Sequence, residues 1–101
     1  MPRLRISRSA LEDLQEILDW HARHAGAQAG RALVAHLLQR MELLEDHPEM
    51  GRIVPEFGLP FLREIIHPPF RIVYRREAHA VTIVRVWRGE RHMRPPRDGE
   101  W

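Results

Sequence analysis

Two stretches in the first half of the chain repeat apolar residues at the spacing of an α-helix. Before them, residues 3–7 alternate apolar and polar side chains and predict a short first strand. Ser9 and Glu12 then form a capping-box signature, so the pattern predicts a first helix over residues 9–24. Its inward stripe is predicted to contain Leu11, Leu14, Ile17, Leu18 and Ala22, and its outward side Glu12, Asp13, Glu16 and Asp19.

A second helix is predicted between Gly30 and Pro48, because apolar residues again recur at helical spacing there. They are Ala32, Leu33, Val34, Leu37, Leu38, Met41 and Leu44. So broad an apolar face indicates deep burial or a groove that awaits a partner, and deep burial is the commoner case. Residues 47–60 contain three prolines and two glycines, which predict a loop between the helices and the second half of the chain.

Three strands are predicted in the second half, over residues 61–67, 70–76 and 80–87. The links between them are short enough to make neighbouring strands antiparallel. If the helices cover the apolar side of these strands, the open side carries Arg71, Arg75, Arg85 and Trp87. The pattern therefore predicts an α+β domain of order β-α-α-β-β-β, with two N-terminal helices packed on one face of a small antiparallel sheet.

Length and composition narrow the class of protein. The 101 residues suit a single domain, 1–101, in which residues 95–101 are expected to form a flexible tail. There is no cysteine, so disulfides and thiolate metal sites do not contribute to the fold. The N-terminus lacks the apolar run of a signal peptide, and no stretch has the roughly 20 apolar residues of a membrane span. We therefore expect a soluble cytoplasmic protein that has no membrane partner.

Charge is divided unevenly along the chain. All 16 basic residues are arginine, and the net charge is +2. Residues 9–49 contain eight acids and three arginines, a balance of −5, whereas residues 63–97 contain nine arginines and three glutamates, a balance of +6. We expect an anionic partner to meet the second half, because guanidinium groups suit carboxylates and phosphates.

Four strings of this sequence, in this order, are similar to those of the RelE/ParE superfamily, the toxins of bacterial type II toxin–antitoxin modules. They are "ALEDLQEILDW", "LLEDHPEMGRIVPEFG", "LREIIHPPFRIVYRRE" and "AVTIVRVWRGERHMR". The resemblance implies a toxin that is neutralised by a cognate antitoxin, whose acidic, partly disordered C-terminal segment docks on it. It also implies that operator DNA is contacted only through the antitoxin.

Two activities occur within this superfamily. ParE-like members inhibit DNA gyrase and are not nucleases, whereas RelE-like members cut messenger RNA on the ribosome. The ending "RVWRGERHMR" resembles the ParE-like one, so we favour that branch, with growth arrest and plasmid stabilisation as its expected effects and no catalytic residue. The residues expected to bind the target or the antitoxin are Arg71, Arg75, Arg85, Trp87, Arg88, Arg91, His92 and Arg94.

A metal-independent endoribonuclease is the alternative, because a candidate set for phosphodiester cleavage exists. Glu64 would be the base and His92 the acid, while Arg71 and Arg85 would stabilise the developing charge. The same arginines equally suit cross-strand pairs with Glu64, Glu77 or Glu90, and Trp87 equally suits packing. A non-toxic interaction module with the same fold is the third alternative.

No cofactor and no metal are expected. His21 and His24 lie near Asp19 at a spacing that can bind a metal, but no cysteine or clear fourth ligand accompanies them. Phosphate-binding glycine loops and the serine-hydrolase elbow are missing from the sequence, which gives no support to nucleotide-dependent or serine-hydrolase chemistry.

Overall fold

The computed structural model describes residues 3–89, in which two helices pack on a five-stranded sheet. The strands are β1 (Arg3–Ile6), β2 (Arg52–Ile53), β3 (Leu62–His67), β4 (Phe70–Arg76) and β5 (Ala80–Arg88), and the helices are α1 (Arg8–His24) and α2 (Ala27–Glu42). A 3₁₀ turn, Leu43–Glu45, continues α2. The predicted α+β class and its layering are confirmed. None of the helices in this range is both long and apolar enough to cross a membrane.

The sheet is mixed, whereas an antiparallel one was predicted. Its strand order is β1-β5-β4-β3-β2, and β1 runs parallel to β5 while the other neighbours are antiparallel. β1 is separated from β5 by the whole rest of the fold, so no hairpin fixes the relative direction of these two strands. The two-residue strand β2 lies within the segment that was predicted to be only a loop.

Helix α1 begins one residue earlier than predicted, and its cap is a different serine. Ser7 has an extended backbone, and its side chain accepts a hydrogen bond from the Ala10 N–H at 3.1 Å. The Ser7 N–H donates to the Ile83 carbonyl, and its hydroxyl donates to the Val84 carbonyl. The predicted cap Ser9 is instead buried in the first turn of the helix. The capping-box prediction was wrong because Ser7 is held in place by β5.

The buried side of α1 is also rotated relative to the prediction. Leu14 and Ile17 are buried as predicted, but Leu11 is 54% exposed. Asp13, which was predicted to face outward, is buried at 8% exposure together with Ser9 and Ala10. The reason is that the Asp13 carboxylate binds Arg85 and the Val86 N–H of β5, so the polar residue belongs to the interface.

Two apolar clusters lie on opposite faces of the sheet. The larger cluster lies between the sheet and the helices and includes Leu14, Ile17, Leu37, Met41, Leu44, Ile72, Tyr74 and Ile83. The smaller one joins the opposite face to residues 54–59 and contains Val54, Leu62, Val73, Val84 and Trp87, with Phe57 and Leu59 packed against it. The predicted open face is therefore wrong for Arg71 and Trp87, which are 7% and 6% exposed.

A bulge in β5 explains why the period-two prediction failed on that strand. Tyr74 pairs with Ile83 and Val73 with Arg85, so Val84 is an extra residue. Ile83 and Val86 consequently both belong to the cluster beneath the helices. Strict alternation would place Ile83 and Trp87 on one side of β5, but Trp87 belongs to the cluster on the opposite face.

Candidate functional site

A buried ion-pair network on the sheet contains two of the residues singled out from the sequence. The Glu64 side chain is completely buried, and both of its oxygens accept hydrogen bonds from guanidinium groups. Arg71 Nε donates to Oε1 at 2.7 Å, and Arg52 Nε donates to Oε2 at 2.7 Å. Cross-strand pairing of Arg52 with Glu64 places β2 beside β3 at this point. The network thus attaches β2 to the centre of the sheet.

Arg71 connects this carboxylate to a second one. Its Nη1 and Nη2 donate to the two oxygens of Glu56 at 2.7 and 2.8 Å, a bidentate geometry. The hydrogen bond from Arg71 lowers the pKa of Glu56 to about 2, against a smaller opposing effect of burial. Hydrogen bonding to Glu56 in turn raises the pKa of Arg71 more than burial lowers it. Glu56 lies in the segment that covers the smaller apolar cluster, so the ion pair holds that segment on the sheet.

These contacts occupy the groups that a ribonuclease would need. A catalytic base must reach the proton that it removes, and Glu64 is buried with both oxygens engaged. All three nitrogens of the Arg71 guanidinium donate to carboxylates, so its charge is already compensated. The structure brings Glu64 and Arg71 together as the nuclease hypothesis requires, but as an internal ion pair.

Arg85 forms a separate pair with helix α1. Its Nε and Nη2 donate to the two oxygens of Asp13 at 2.8 and 2.7 Å. Asp13 also accepts a hydrogen bond at 2.8 Å from the Val86 N–H. Because β1 pairs with β5 only up to Ile83, this carboxylate satisfies a backbone donor beyond the end of β1. Arg85 therefore joins a helix to the sheet, whereas an open position was predicted.

The end of β5 is the most accessible part of the predicted binding surface. Trp87 is buried, with the Arg85 guanidinium 5.2 Å from its ring centre, while Arg88 is exposed and lies 5.6 Å from the ring of Phe70. An open cleft of about 500 Å³ is lined by α1 and by Arg85, Trp87 and Arg88. A second cleft of about 550 Å³ lies beside Phe70, Arg71 and Gly89. This strand end can therefore contact a partner from two sides.

Comparison with known proteins identifies the family of this chain. The family model described as "ParE toxin of type II toxin-antitoxin system, parDE" matches residues 4–93. The chain belongs to the ParE toxin family. A solved structure described as "Chromosomal ParDE TA system from P. aeruginosa" is similar in fold, with a TM-score of 0.77 and 24% sequence identity over 89% of this chain and 98% of that one. Comparison with curated proteins found no significant match.

The remaining predicted residues of this ParE-family chain fall into two groups. Arg75 lies at the surface, where its Nε is 3.0 Å from Glu77. Arg91, His92 and Arg94 lie outside the described residues, although the family match includes the first two of them. His21 and His24 each bond through Nδ1 to a carbonyl of their own helix, and no group of three possible metal ligands occurs between residues 3 and 89.

Sequence reasoning missed three partners of the predicted arginines: Asp13, Arg52 and Glu56. A usable signal existed only for Asp13, because it lies in the same helical stripe as Ala10, Leu14 and Ile17. Arg52 and Glu56 lie in a proline-rich segment whose path over the sheet has no sequence period. The ParE-family match likewise gives no contacts for these residues.

Proposed function

We propose that this chain is the toxin of a type II toxin–antitoxin module, that it acts in the cytoplasm, and that it inhibits DNA gyrase. The observation that carries the proposal is the family match across residues 4–93. The ion pairs also favour a ParE-like toxin over a nuclease. Glu64, Arg71 and Arg85, the candidate nuclease residues, are engaged with other side chains of the chain itself. Nothing in this mechanism requires a catalytic residue or a cofactor.

The proposed gyrase-binding surface begins at the end of β5. Arg88 is exposed there beside the cleft along α1, which the largely buried Trp87 also lines, and an exposed guanidinium at such a cleft suits a protein partner. Arg91, His92 and Arg94 come next in sequence and are proposed to extend this surface. Arg71 and Arg85 support it from within, since each is bonded to a carboxylate.

The proposed second partner is a cognate antitoxin with an acidic, partly disordered C-terminal segment. Exposed apolar side chains of the helical layer, Leu11, Trp20 and Leu43, offer contacts for such a segment, and Arg3, Arg5 and Arg88 are exposed cations. Operator DNA is proposed to be bound by the antitoxin and not by this chain.

Induced expression tests the proposal directly. Without antitoxin we expect growth arrest, and we expect the purified chain to reduce supercoiling by purified gyrase. Co-expression of the antitoxin encoded beside the toxin should restore growth. Cleavage of messenger RNA on translating ribosomes would instead support the RelE-like alternative. Folded protein that causes no arrest would support the non-toxic interaction module.

Variants separate these outcomes. Glu64→Gln should leave arrest and gyrase inhibition intact, whereas truncation after Gly89 should abolish both. Glu64→Gln is preferred to Glu64→Ala because it keeps the side-chain volume next to Arg52 and the buried Arg71. Relief of arrest by Glu64→Gln, with the fold intact by circular dichroism, would contradict the gyrase proposal.

A further inference from the structure

Three polar side chains form a row across the sheet on the face opposite the helices. Thr82 of β5 pairs directly with Arg5 of β1 on one side and with Arg75 of β4 on the other. Their sequence neighbours Ile6, Ile83 and Tyr74 belong to the cluster beneath the helices, so the row points the other way. Two strand spacings separate the arginine backbones, roughly 10 Å. Two guanidinium groups on flexible stems can therefore meet above the threonine.

Within residues 3–89, this row forms one ion pair, between Arg75 and Glu77. Between residues 3 and 89, the Arg5 side chain has no hydrogen bond or ion pair, and neither has that of Arg3, which is exposed two residues away. The carboxylate paired with this row is Glu77, whose Oε1 lies 3.0 Å from Arg75 Nε. That pair is partly exposed, 22% for Arg75 and 38% for Glu77, so a more highly charged anion can replace Glu77.

Thr82 supplies the second, independent observation. It is 7% exposed, and its Oγ1 has no hydrogen-bond partner within the described part of the chain. It is the one buried side-chain polar atom of residues 3–89 in this condition. Buried hydroxyls are normally satisfied, so an unpaired one between two cationic side chains indicates a ligand that accepts a hydrogen bond there.

We propose that Arg5, Thr82 and Arg75 bind a phosphate group. A phosphate offers enough acceptor oxygens to take hydrogen bonds from both guanidinium groups and from the hydroxyl at once. Because Thr82 Oγ1 is itself buried, a phosphate would reach it only after neighbouring side chains move, and the arginine side chains are long and flexible enough for that. This site is separate from the end of β5 and independent of the proposed gyrase inhibition.

A titration of the full-length protein with inorganic phosphate at constant ionic strength tests the site. Backbone amide signals in two-dimensional NMR should shift first at residues 5, 75 and 82, and the concentration dependence gives Kd. Arg5→Gln and Arg75→Gln should each weaken binding about tenfold or more, because each removes charge-assisted hydrogen bonds. Thr82→Val should weaken it about fivefold. Glu77→Gln should strengthen binding, since it removes the competing carboxylate.

The matched control is Arg31→Gln. It makes the same charge change at an exposed position of α2, outside the row, and should leave Kd unchanged. Thr82→Val should fold at least as stably as the wild type, so weaker binding in this variant cannot come from unfolding. Equal weakening by Arg31→Gln, or unchanged binding in Thr82→Val, would overturn the proposal. Acetate that binds as tightly as phosphate would also overturn it.

Comparison of two phosphate sources identifies the ligand class. If a short single-stranded oligonucleotide binds more tightly than inorganic phosphate and loses affinity in the same variants, the source is a nucleic-acid backbone. If inorganic phosphate binds as well, the source is a small phosphate compound. Both results support the site, and neither depends on whether gyrase is inhibited.

Discussion

At the scale of single residues, the main feature is the carboxylate of Glu64. It was a candidate catalytic base, but it stabilises the fold through ion pairs. Glu64 is buried between two arginines, and one of these arginines is itself 9% exposed in its side chain. Removing one partner of a buried ion pair leaves the other charge uncompensated, which costs far more than losing a surface pair. The stability of the sheet should therefore be sensitive to this position.

We expect Glu64→Ala to lower the free energy of unfolding by about 3–5 kcal/mol, as measured by urea denaturation at neutral pH. Glu77→Gln is the control, because its pair with Arg75 is partly exposed and should contribute about 0.5 kcal/mol or less. A Glu64→Ala protein as stable as this control would show that the buried pair is energetically neutral.

Glu56 should make part of the stability dependent on pH. Its pKa is lowered from 4.5 to about 2 in the folded chain by the hydrogen bond from Arg71. A lowered carboxyl pKa contributes stability above the unfolded value, and that contribution disappears as the pH falls from 4.5 towards 2. Because Glu56 is 44% exposed, solvent screening limits the effect to about 1 kcal/mol.

The measurement compares the wild type with Glu56→Gln. The difference between their unfolding free energies should be largest near neutral pH and shrink below pH 4.5. A difference that stays constant down to pH 3 would mean that the ion pair between Glu56 and Arg71 does not stabilise the folded chain.

At the scale of elements, helix α1 is attached to the sheet by its polar residues as well as its apolar ones. Ser7 bonds to Ile83 and Val84, and Asp13 bonds to Arg85 and Val86. These contacts lie along the part of β5 where pairing with β1 ends. The helix therefore takes over the role of a neighbouring strand at this edge.

We expect Asp13→Ala to destabilise the fold by about 3 kcal/mol, since it leaves a partly buried guanidinium and a backbone N–H without an acceptor. Hydrogen–deuterium exchange should become faster at the Val86 amide in particular. Glu16→Ala, an exposed acid one turn away, is the control and should change neither quantity. An unchanged exchange rate at Val86 in Asp13→Ala would contradict the proposed tether.

The elements themselves were largely predictable, but their contacts were not. The period-two pattern predicted β4 over residues 70–76, which is its observed range. The same pattern predicted one side for both Ile83 and Trp87, which lie on opposite faces of the sheet, because a bulge has no signature in hydrophobic periodicity. The segment 54–59 looked like part of an ordinary loop because residues 47–60 contain three prolines and two glycines, yet Val54, Phe57 and Leu59 cover the second face of the sheet. Glu56 contributes through an ion pair with Arg71, 15 residues away in sequence. Such a contact leaves no periodic pattern in the sequence.

At the scale of the whole molecule, folding and the proposed toxicity should be separable. Both apolar clusters of the described chain are built from residues between Leu4 and Trp87. A chain that ends at Gly89 should therefore keep its far-ultraviolet circular dichroism and a melting temperature within about 5 °C of the full chain. It should nevertheless fail to arrest growth if the proposed gyrase surface continues beyond β5. Loss of the folded spectrum in this shortened chain would show that folding and the proposed toxicity cannot be separated by truncation.

The parallel pairing of β1 with β5 has a consequence for biosynthesis. Arg3 is aligned with Ala80, so the first strand to leave the ribosome must wait for the last one before it can join the sheet. Closing a loop of that length late in translation makes the final assembly a slow, non-local step. The sheet therefore remains open until β5 has been made, and an antitoxin of the kind proposed above would meet a chain whose edge strand is not yet paired.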